Sequence, residues 1–500
     1  MTHNEECPPL SKGWAWATLR DISEINPKFI GNNVDDNIEV TFLPMRAVEE
    51  KTSKTDLSLS KKIREVKKSY TPFKNGDILF AKITPCMENG KIAIADNLKN
   101  GIGFGSTEFH VLRLDNSIER KLVFFFLLQD GYRKEAQRNM TGSAGQLRVP
   151  VYFIENTRFP LPPLPEQHRI VAKIEELFTK LDAGVEALKK AKAQLKHYRQ
   201  AVLKAAMEGK LTEKWREAHK GELEPASALL GQIKEERRKK WLAEGTRKFN
   251  DFSLVDTKGL PELAEGWVWT SIGNICDLIN GRAFKPRDWS SHGLPIVRIQ
   301  NLNNINEKFN YCNFEVEDKY LIDNGQLLFA WSGTPRTSFG AHIWNRERAV
   351  LNQHIFRVEI NESCISKIFL MHLINYKISE YIRKAHGTAG LAHITKGKFE
   401  GSLLPLPPFP EQQKIVEEIE QHFSVVEHME KTMEQNLRQA ERLRQSILKR
   451  AFEGKLVPQD PTDESASVLL ERIKEEKVKQ EAKEKGKKRG KRNPKQRRFI

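Results

Sequence analysis

The stretch LPPLPEQHRIVAKIEELF at residues 161–178 has the features of the start of a long helix, and LPPFPEQQKIVEEIEQHF at residues 406–423 repeats it. Pro165 and Pro410 suit the first helical turn, and the glutamate that follows each proline suits the positive end of the helix dipole. The prolines before them make the approach to the helix stiff and extended. One chain therefore begins the same proline-flanked helix twice, 245 residues apart.

Both helices are predicted to be long and to pair with each other. Gly209 and Gly454, each followed by lysine, suit the position just past a helix end. Each helix then has about 44 residues and a length of about 66 Å. Apolar residues recur at seven-residue spacing, as in a coiled coil. They are Ile174, Leu181, Leu188, Leu195 and Val202 in the first helix and Ile419, Val426, Met433, Ala440 and Ile447 in the second.

The repeat extends over most of the chain. Five further pairs of segments recur in the same order. They are GWAW (13–16) and GWVW (266–269), NGDILFAKITP (75–85) and NGQLLFAWSGTP (324–335), GSAG (142–145) and GTAG (387–390), LKAAMEGKLT (203–212) and LKRAFEGKLV (448–457), and ASALLGQIKEE (226–236) and ASVLLERIKEE (466–476). Each half is a globular block followed by a helical block. The helix starts match closely, whereas the globular blocks share only short islands, so the two blocks are free to act differently.

The globular blocks are predicted to mix strands and helices. KIAIADNL, FGSTEFHVLRL, QLLFAWSG and QHIFRVEI have the pattern of strands, and the Asn-Gly pairs at 75–76 and 324–325 are turn signals. KLVFFFLLQDGYRKEA and KIFLMHLINYKISEYIRKA have helical spacing and close each block. The predicted fold class is α+β: two mixed α/β domains in tandem, each followed by a long helix, with the two helices forming an antiparallel coiled coil.

Composition excludes several classes of protein. The five cysteines include no CxxC pair, which argues against a disulfide framework and a zinc site. The first residues have no apolar targeting segment, and the apolar run at 122–128 is too short to span a bilayer. We expect a cytoplasmic protein that binds no membrane. The formal net charge is +16, and nine of the positive residues lie in the stretch 485–500, which suits either a nucleic-acid contact or a solubilising tail.

Motifs of catalysis are missing from the sequence. It contains no GxxxxGK[ST] phosphate loop, no HExxH, and no NPPY-like tetrapeptide of an amino-methyltransferase. The glycines of GIGFGS at 101–106 are interpreted as a turn, because no helical pattern follows them. His342, His354, His393 and Cys364 do not form a metal-ligand spacing, so structural or surface roles are preferred for them. We expect a chain that is not an enzyme, has no catalytic residues and binds no metal, and a stand-alone methyltransferase is disfavoured.

Antiparallel pairing of the helices would place the two blocks at opposite ends of a rod, related by a pseudo-two-fold axis. Duplex DNA has two-fold axes as well, so a protein of this form suits two half-sites separated by a gap. If the two blocks differ, the target is bipartite and asymmetric.

These segments resemble the specificity subunit of a type I restriction–modification system. The resemblance rests on the PLPPLPEQ and PLPPFPEQ helix entries, the EGKL helix ends, the GW openings and the tandem order. It implies that two target recognition domains bind double-stranded DNA, and that two methyltransferase subunits and two restriction subunits bind the chain. It also implies that S-adenosylmethionine, ATP and Mg are used by those partner subunits, and that this chain itself binds no cofactor. The basic extension after Lys483 has no role in the family pattern.

The resemblance gives the segments their expected roles. The predicted segments are 1–160 (first target recognition domain), 161–212 (first long spacer helix), 213–262 (linker with a short helix), 263–405 (second target recognition domain), 406–457 (second long spacer helix) and 458–500 (short helix and basic tail).

Three islands shared by the two globular blocks supply side chains that suit DNA contacts. The candidates are Arg46, Lys82, Thr84, Ser143, Gln146 and Arg148 in the first block and Arg298, Gln300, Asn301, Ser332, Thr334, Arg336, Thr388 and Lys396 in the second. Scaffold or surface roles remain open for each of them. The tryptophans of the GW openings, Trp14, Trp16, Trp267 and Trp269, are expected in the core. The alternative function is a coiled-coil adaptor that presents two protein-binding domains.

Overall fold

The computed structural model describes residues 9–28, 34–143, 145–244, 255–304, 306–333, 339–384 and 392–490. The chain divides into two compact units, one of Met1–Leu188 with Gln435–Ile500 and one of Lys189–Glu434. Each unit contains one globular domain and a part of both long helices. Among the helices of the described ranges, none is long and apolar enough to cross a membrane. Thr334, Arg336 and Thr388 lie outside the described residues.

The first globular domain consists of short strands and helices. The strands are β1 (Ala15–Thr18), β2 (Ser23–Ile25), β3 (Glu39–Leu43), β4 (Ser60–Lys62), β5 (Thr71–Lys74), β6 (Ile78–Ala81), β7 (Ile92–Ile94), β8 (Ile102–Gly105), β9 (Phe109–Leu114), β10 (Thr141–Ser143), β11 (Gln146–Arg148) and β12 (Arg158–Leu161). The helices are α1 (Leu19–Ile22), α2 (Ile63–Val66), α3 (Arg120–Leu127), α4 (Asp130–Arg138) and α5 (Val151–Asn156).

Two four-stranded sheets form the body of this domain, with strand orders β2-β9-β6-β7 and β4-β3-β8-β5. All pairs are antiparallel except β3 with β8. β6 is buried on both faces. Ile78 and Phe80 pack into the core that contains α3, whereas Leu79 and Ala81 pack into the core between the sheets. Because successive side chains of a strand point to opposite faces, a strand between two cores has no polar position.

Three helices follow the first domain. They are the long helix α6 (Leu164–Met207), α7 (Glu213–Ala218) and α8 (Ala226–Glu244). α6 has 44 residues, as predicted.

The second globular domain has the same kinds of element. Its strands are β13 (Val268–Ser271), β14 (Cys276–Asn280), β15 (Leu294–Val297), β16 (Asn310–Cys312), β17 (Leu321–Ile322), β18 (Gln326–Ala330), β19 (Ser332–Gly333), β20 (Gly340–Trp344), β21 (Ala349–Leu351), β22 (Ile355–Ile360), β23 (Ala392–His393) and β24 (Leu403–Leu406). Its helices are α9 (Ile272–Ile275), α10 (Ile299–Asn303), α11 (Lys367–Tyr376), α12 (Ile378–Lys384) and α13 (Lys396–Glu400). The long helix α14 (Phe409–Phe452), also of 44 residues, and α15 (Ala466–Gly490) follow.

The two domains share one topology. The sheets of the second domain have strand orders β14-β22-β18-β20 and β16-β15-β21-β17. The parallel pair again joins two strands of the second sheet, β15 and β21. In both domains the strand after the GW opening pairs antiparallel with the strand before the long helix, β1 with β12 and β13 with β24. The predicted repeat of two mixed α/β domains is confirmed.

The repeated GW and PEQ segments contact each other in both units. The indole nitrogen of Trp14 donates to Glu166 at 3.0 Å, and that of Trp267 donates to Glu411 at 2.8 Å. Trp14 and Trp267 are buried, as expected, whereas Trp16 and Trp269 are partly exposed. The glutamate of each helix start is thus a buried acceptor that ties the opening strand of the domain to the helix.

The glutamine of each PEQ segment joins two other elements. The side-chain oxygen of Gln167 accepts from the backbone N–H of Glu119, just before α3, at 3.0 Å. Gln412 accepts from Ser366, just before α11, at 2.9 Å. Each amide nitrogen donates back to the proline carbonyl five residues earlier. The helix start, the preceding proline segment and a domain helix are therefore held by one side chain, which explains why this motif occurs in both halves.

The two long helices pack together, and the predicted heptad positions are their contact positions. Ile174, Val202, Ile419, Val426 and Ile447 are buried. The heptad residues between them are half-buried; they are Leu181, Leu188, Leu195, Met433 and Ala440.

Polar contacts within each unit support the pairing. In the second unit Lys192 pairs with Glu434 at 2.8 Å, and Arg199 pairs with Glu430 at 3.1 Å, so residue numbers rise along one helix as they fall along the other. The helices are antiparallel there. In the first unit Arg444 pairs with Asp182 and lies 4.3 Å from the ring centre of Phe178.

The helices α8, of 19 residues, and α15, of 25 residues, occupy the same place in their units. The N–H of Ala226 donates to Gly266 at 2.9 Å, and that of Ala466 donates to Gly13 at 2.9 Å. The helix that follows α14 therefore packs on the opening of the first domain.

Candidate nucleic-acid interface

In the first domain the segment after β6 crosses the β10–β11 hairpin. The N–H of Thr84 donates to Leu147 at 3.0 Å, and the N–H of Leu147 donates to the Thr84 hydroxyl at 3.1 Å. The N–H of Val149 donates to the carbonyl of Lys82 at 2.8 Å. The structure thus brings two of the sequence islands together, since Lys82 and Thr84 lie beside the strand that carries Arg148.

Arg148 forms a two-pronged ion pair with Glu108. Its Nε and Nη2 atoms each lie 2.9 Å from a carboxylate oxygen. The Arg148 bonds hold the pKa of Glu108 below its usual value, and Glu108 raises the pKa of Arg148. Lys82 lies next to this pair, and its N–H donates to the Glu108 carbonyl at 2.9 Å. Burial lowers the pKa of the Lys82 ammonium, an effect that Glu108 opposes. Lys82, Glu108 and Arg148 are called the first-domain cluster below.

The remaining candidates of the first domain are exposed. Ser143 and Gln146 lie on the two strands of the β10–β11 hairpin, where they pair with each other in register. Arg46 lies on a short 3₁₀ turn that follows β3 of the second sheet. The hairpin therefore presents Ser143 and Gln146 beside the first-domain cluster, and Arg46 belongs to a different loop.

The second domain repeats this backbone arrangement. Ser332 of β19 pairs with His393 of β23, as Ile83 pairs with Arg148 in the first domain. The N–H of Ile394 donates to the carbonyl of Trp331 at 3.1 Å, and the N–H of Trp331 donates to the carbonyl of His354 at 3.2 Å. The positions of Lys82, Glu108 and Arg148 in the first domain are therefore occupied in the second by Trp331, His354 and His393, respectively. They are called the second-domain cluster.

The second-domain cluster has different chemistry. The ring centres of Trp331 and His354 are 5.2 Å apart, and the Trp331 indole donates to Asn280 at 3.2 Å. Burial lowers the pKa of His354, and the charge of His393 lowers it further. An aromatic and imidazole surface thus replaces an ammonium, a carboxylate and a guanidinium. An aromatic face can stack on a base, whereas a guanidinium forms directed hydrogen bonds.

Arg298, Gln300 and Asn301 lie at the start of α10, after a strand of the second sheet. Asn301 is buried, and its amide accepts from the N–H of Arg298 at 3.1 Å and donates to the carbonyl of Lys308 at 3.2 Å. Gln300 is exposed, and its amide donates to Glu307 at 3.1 Å. Asn301 therefore shapes the loop, and Gln300 is available at its surface.

The hydrogen bond and the ion pair of Lys396 are with residues outside the second-domain cluster. Its ammonium donates to the carbonyl of Leu278 at 2.9 Å, and it lies 3.6 Å from Glu400 on the same helix. It ties α13 to β14.

Sequence reasoning missed Glu108 and Trp331, and it assigned structural or surface roles to His354 and His393. One signal was present in the sequence. Trp331 occupies the position of Lys82 when NGDILFAK is aligned with NGQLLFAW. The positions of Glu108 and His354 require the strand pairing, because no shared motif surrounds them.

Comparison with known proteins identifies the family. The family model described as the type I restriction modification DNA specificity domain matches residues 11–197 and 264–439. The chain belongs to the type I restriction–modification specificity subunits.

Curated relatives in this family cover most of the chain. The type I restriction enzyme EcoAI specificity subunit of Escherichia coli is 32% identical over 472 residues, which are 83% of this chain and 79% of that protein. The EcoEI specificity subunit of Escherichia coli is 28% identical over 87% of this chain and 82% of that protein.

Solved structures agree with the fold. A chain from a study of complex assembly and conformational transition in the type I R-M system has a TM-score of 0.66 at 20% identity, covering 90% of this chain and all of that chain. The HsdS subunit from Thermoanaerobacter tengcongensis has a TM-score of 0.54 at 20% identity, covering 91% of this chain and all of that chain. At this identity the similarity shows the fold, which is that of a specificity subunit with two tandem domains.

Proposed function

We propose that this specificity subunit binds a bipartite, asymmetric sequence in duplex DNA, with one half-site contacted by each globular domain. The observation that carries the proposal is the pair of clusters. One backbone arrangement presents Lys82, Glu108 and Arg148 in the first domain and Trp331, His354 and His393 in the second. Two domains that share a backbone arrangement and present different side chains suit two different half-sites.

The β10–β11 hairpin supports a DNA contact in the first domain. Gln146 and Ser143 are exposed at this hairpin and carry the amide and hydroxyl groups that bind base edges and phosphates. The proposal also includes the other described candidates from the sequence, which are Arg46, Thr84, Arg298, Gln300, Asn301, Ser332 and Lys396. Thr334, Arg336 and Thr388 remain candidates from the sequence.

We also propose that the chain is the non-catalytic scaffold of the complex. Two methyltransferase subunits and two restriction subunits would bind it and would use S-adenosylmethionine, ATP and Mg. The repeat supports two copies of a partner, because the Trp–Glu and Gln contacts at the helix starts are the same in both units. A partner that binds one helix start would therefore meet a second helix start that is held by the same side-chain contacts. The complex would work in the cytoplasm, where its DNA substrate is present.

The experiment is a map of methylated adenine made with the chain and its cognate methyltransferase subunit. Exchange of residues 1–155 for the first domain of another family member should change one half of the methylated sequence and leave the other half unchanged. The chain alone, given S-adenosylmethionine, should methylate nothing.

Two results would contradict the proposal. A change in both halves after the exchange would show that the domains are not independent readers. Retention of random duplexes without any enriched sequence would favour the adaptor that presents two protein-binding domains.

A further inference from the structure

We propose that Arg148 recognises a guanine in the half-site bound by the first domain, and that Glu108 acts as its positioning residue. This inference rests on the proposed function, since it assigns a base to one of the two readers. The argument uses the hydrogen-bonding capacity of one guanidinium group and the charge around it.

Three of the five N–H groups of Arg148 are used within the protein. The Nε and one Nη2 proton bind Glu108 at 2.9 Å each, and one Nη1 proton binds the carbonyl of Gln146 at 3.2 Å. One N–H on Nη1 and one on Nη2 have no hydrogen-bond partner among the described residues. A guanine presents two acceptors, O6 and N7, in the major groove, and two parallel N–H groups of an arginine match them. The unused donors of Arg148 are therefore of the number and kind that guanine requires.

Glu108 holds the guanidinium before any ligand arrives. Glu108 lies just before β9, and its backbone carbonyl accepts a hydrogen bond from the N–H of Lys82 at 2.9 Å. The pair is partly exposed, with 40% of the Arg148 side chain and 24% of the Glu108 side chain accessible. Such a pair adds little to folding stability. The pair does hold the Arg148 side chain in one conformation before DNA binds, so less conformational entropy is lost on binding.

Charge favours a base over a phosphate as the ligand of Arg148. The Arg148–Glu108 pair has little net charge of its own, and its carboxylate repels a phosphate that approaches the guanidinium, so the positive charge left to attract a phosphate is that of the neighbouring Lys82. The pairing leaves the other N–H groups of Arg148 able to donate, so the guanidinium can still bind a base. In the second domain His393 occupies the equivalent position, which predicts a different contact at the corresponding place in the other half-site.

The test uses the complete chain in complex with its methyltransferase subunit and a duplex library randomised at the first half-site. The domain exchange described above shows which half-site this is. Arg148→Ala should weaken discrimination at one guanine by roughly 5- to 150-fold, the range for a two-bond contact. Glu108→Gln should relax the same position to a smaller extent. The other half-site should keep its preference in both variants.

Arg148→Lys separates a base contact from a phosphate contact. Lysine keeps the charge and loses the planar pair of donors, so a phosphate contact would survive this change largely intact, whereas the preference for guanine should weaken. Arg113→Lys is the matched control. Arg113 forms the same two-pronged pair with Asp77, at 3.0 and 2.8 Å, toward the other end of β9, and its loss should affect stability without changing any base preference.

The outcomes separate this inference from the proposed function. A relaxed preference at one guanine in Arg148→Lys and Glu108→Gln supports the inference. An unchanged preference in both variants overturns it. A uniform loss of affinity in Arg148→Ala, with the salt dependence reduced by about one ion, also overturns it, because a phosphate contact behaves in that way. If the unmodified complex enriches no sequence, the proposed function itself fails.

Discussion

The two buried glutamates at the helix starts should respond differently to the same substitution. Glu411 accepts from the Trp267 indole at 2.8 Å, from the Thr212 hydroxyl at 2.7 Å and from Arg216 at 2.5 Å. Glu166 accepts from the Trp14 indole at 3.0 Å, and its other oxygen is buried without a hydrogen-bond partner in the described part of the chain. Both carboxylates are almost fully buried. The two glutamates thus occupy equivalent positions, but Glu411 accepts more hydrogen bonds than Glu166 to offset the burial of its charge.

Glu411→Gln should destabilise the second unit by about 3 kcal/mol. The change leaves the guanidinium of Arg216, which is 15% exposed, without its counter-charge, and breaking a buried pair costs about 3–5 kcal/mol. The lower end applies because glutamine still accepts the bond from Trp267.

Glu166→Gln should change the stability of the first unit by less than about 1 kcal/mol at pH 7, since it removes a charge whose burial is poorly compensated. Burial raises the pKa of Glu166 above its ordinary value of 4.5, although Trp14 and Arg169 oppose the shift. The folded chain therefore holds this proton at a pH where the unfolded chain has lost it. The contribution of Glu166 to stability falls as the pH rises from about 4.5 through the raised pKa, and remains low above it. Glu166→Gln should remove this part of the pH dependence.

Hydrogen exchange measured by mass spectrometry can follow each unit separately. Peptides at the starts of α6 and α14 report local opening, and each variant is the control for the other. We expect an increase of roughly 150-fold in the opening constant near Glu411, since 1.4 kcal/mol corresponds to a factor of ten. The reasoning is refuted if both substitutions cost the same, or if Glu166→Gln is the more damaging one.

Two further predictions concern the second unit and the long helices. Burial lowers the pKa of His372 from 6.5 to about 4. The free energy of unfolding is therefore unaffected by this group above pH 6.5 and declines by about 3 kcal/mol in total as the pH falls from 6.5 to about 4. His372→Leu should reduce this acid sensitivity in urea denaturation, and an unchanged pH profile would contradict the prediction. Inserting four residues at 189–192 of α6 adds about 6 Å, which is under two base pairs, so the unread gap in the methylated sequence should lengthen by one or two base pairs with the same bases read on either side. A paired insertion near Glu434 should restore the helix register, and a folded variant that keeps the original gap would argue against this spacer role.

The long helices could be predicted in detail because their information is local. Proline at the start, glycine after the end and apolar residues at seven-residue spacing lie within one segment, and α6 and α14 have the predicted 44 residues. Strand segments such as β18 and β22 were also visible. The parallel pairing of β3 with β8 was not, because it joins segments about sixty residues apart that share no motif. Strands of three to six residues carry too little pattern to specify a distant partner.

The candidate site shows the same limit. Thr84 and Gln146 belong to islands shared by the two halves of the sequence, and the structure places those islands side by side. Glu108 could not be chosen in this way, since its role depends on an ion pair with a residue forty positions away. The Asn301 amide, chosen for its chemistry, is buried and bonded within its own loop. Residue type indicates what a side chain is able to bind, and only the fold shows which of its bonds are already used.

If the two clusters contact DNA as proposed, their arrangement explains how one chain can carry two different DNA-contacting surfaces. The segment after β6 and the hairpin strand are joined largely through backbone atoms, as in the bond from Val149 to the Lys82 carbonyl and its counterpart from Ile394 to Trp331. Backbone hydrogen bonds do not depend on which side chain is present, so tryptophan can stand in place of lysine and the same strand contacts still form. Partly exposed side chains also contribute little to stability, usually within about 0.5 kcal/mol. The buried contacts at the helix starts have less freedom, because replacing the glutamate or the glutamine by a side chain that cannot accept a hydrogen bond leaves buried donors without acceptors. Under the proposed function, selection for a new DNA target would act on the clusters, whereas the Trp–Glu and Gln contacts occur in both units.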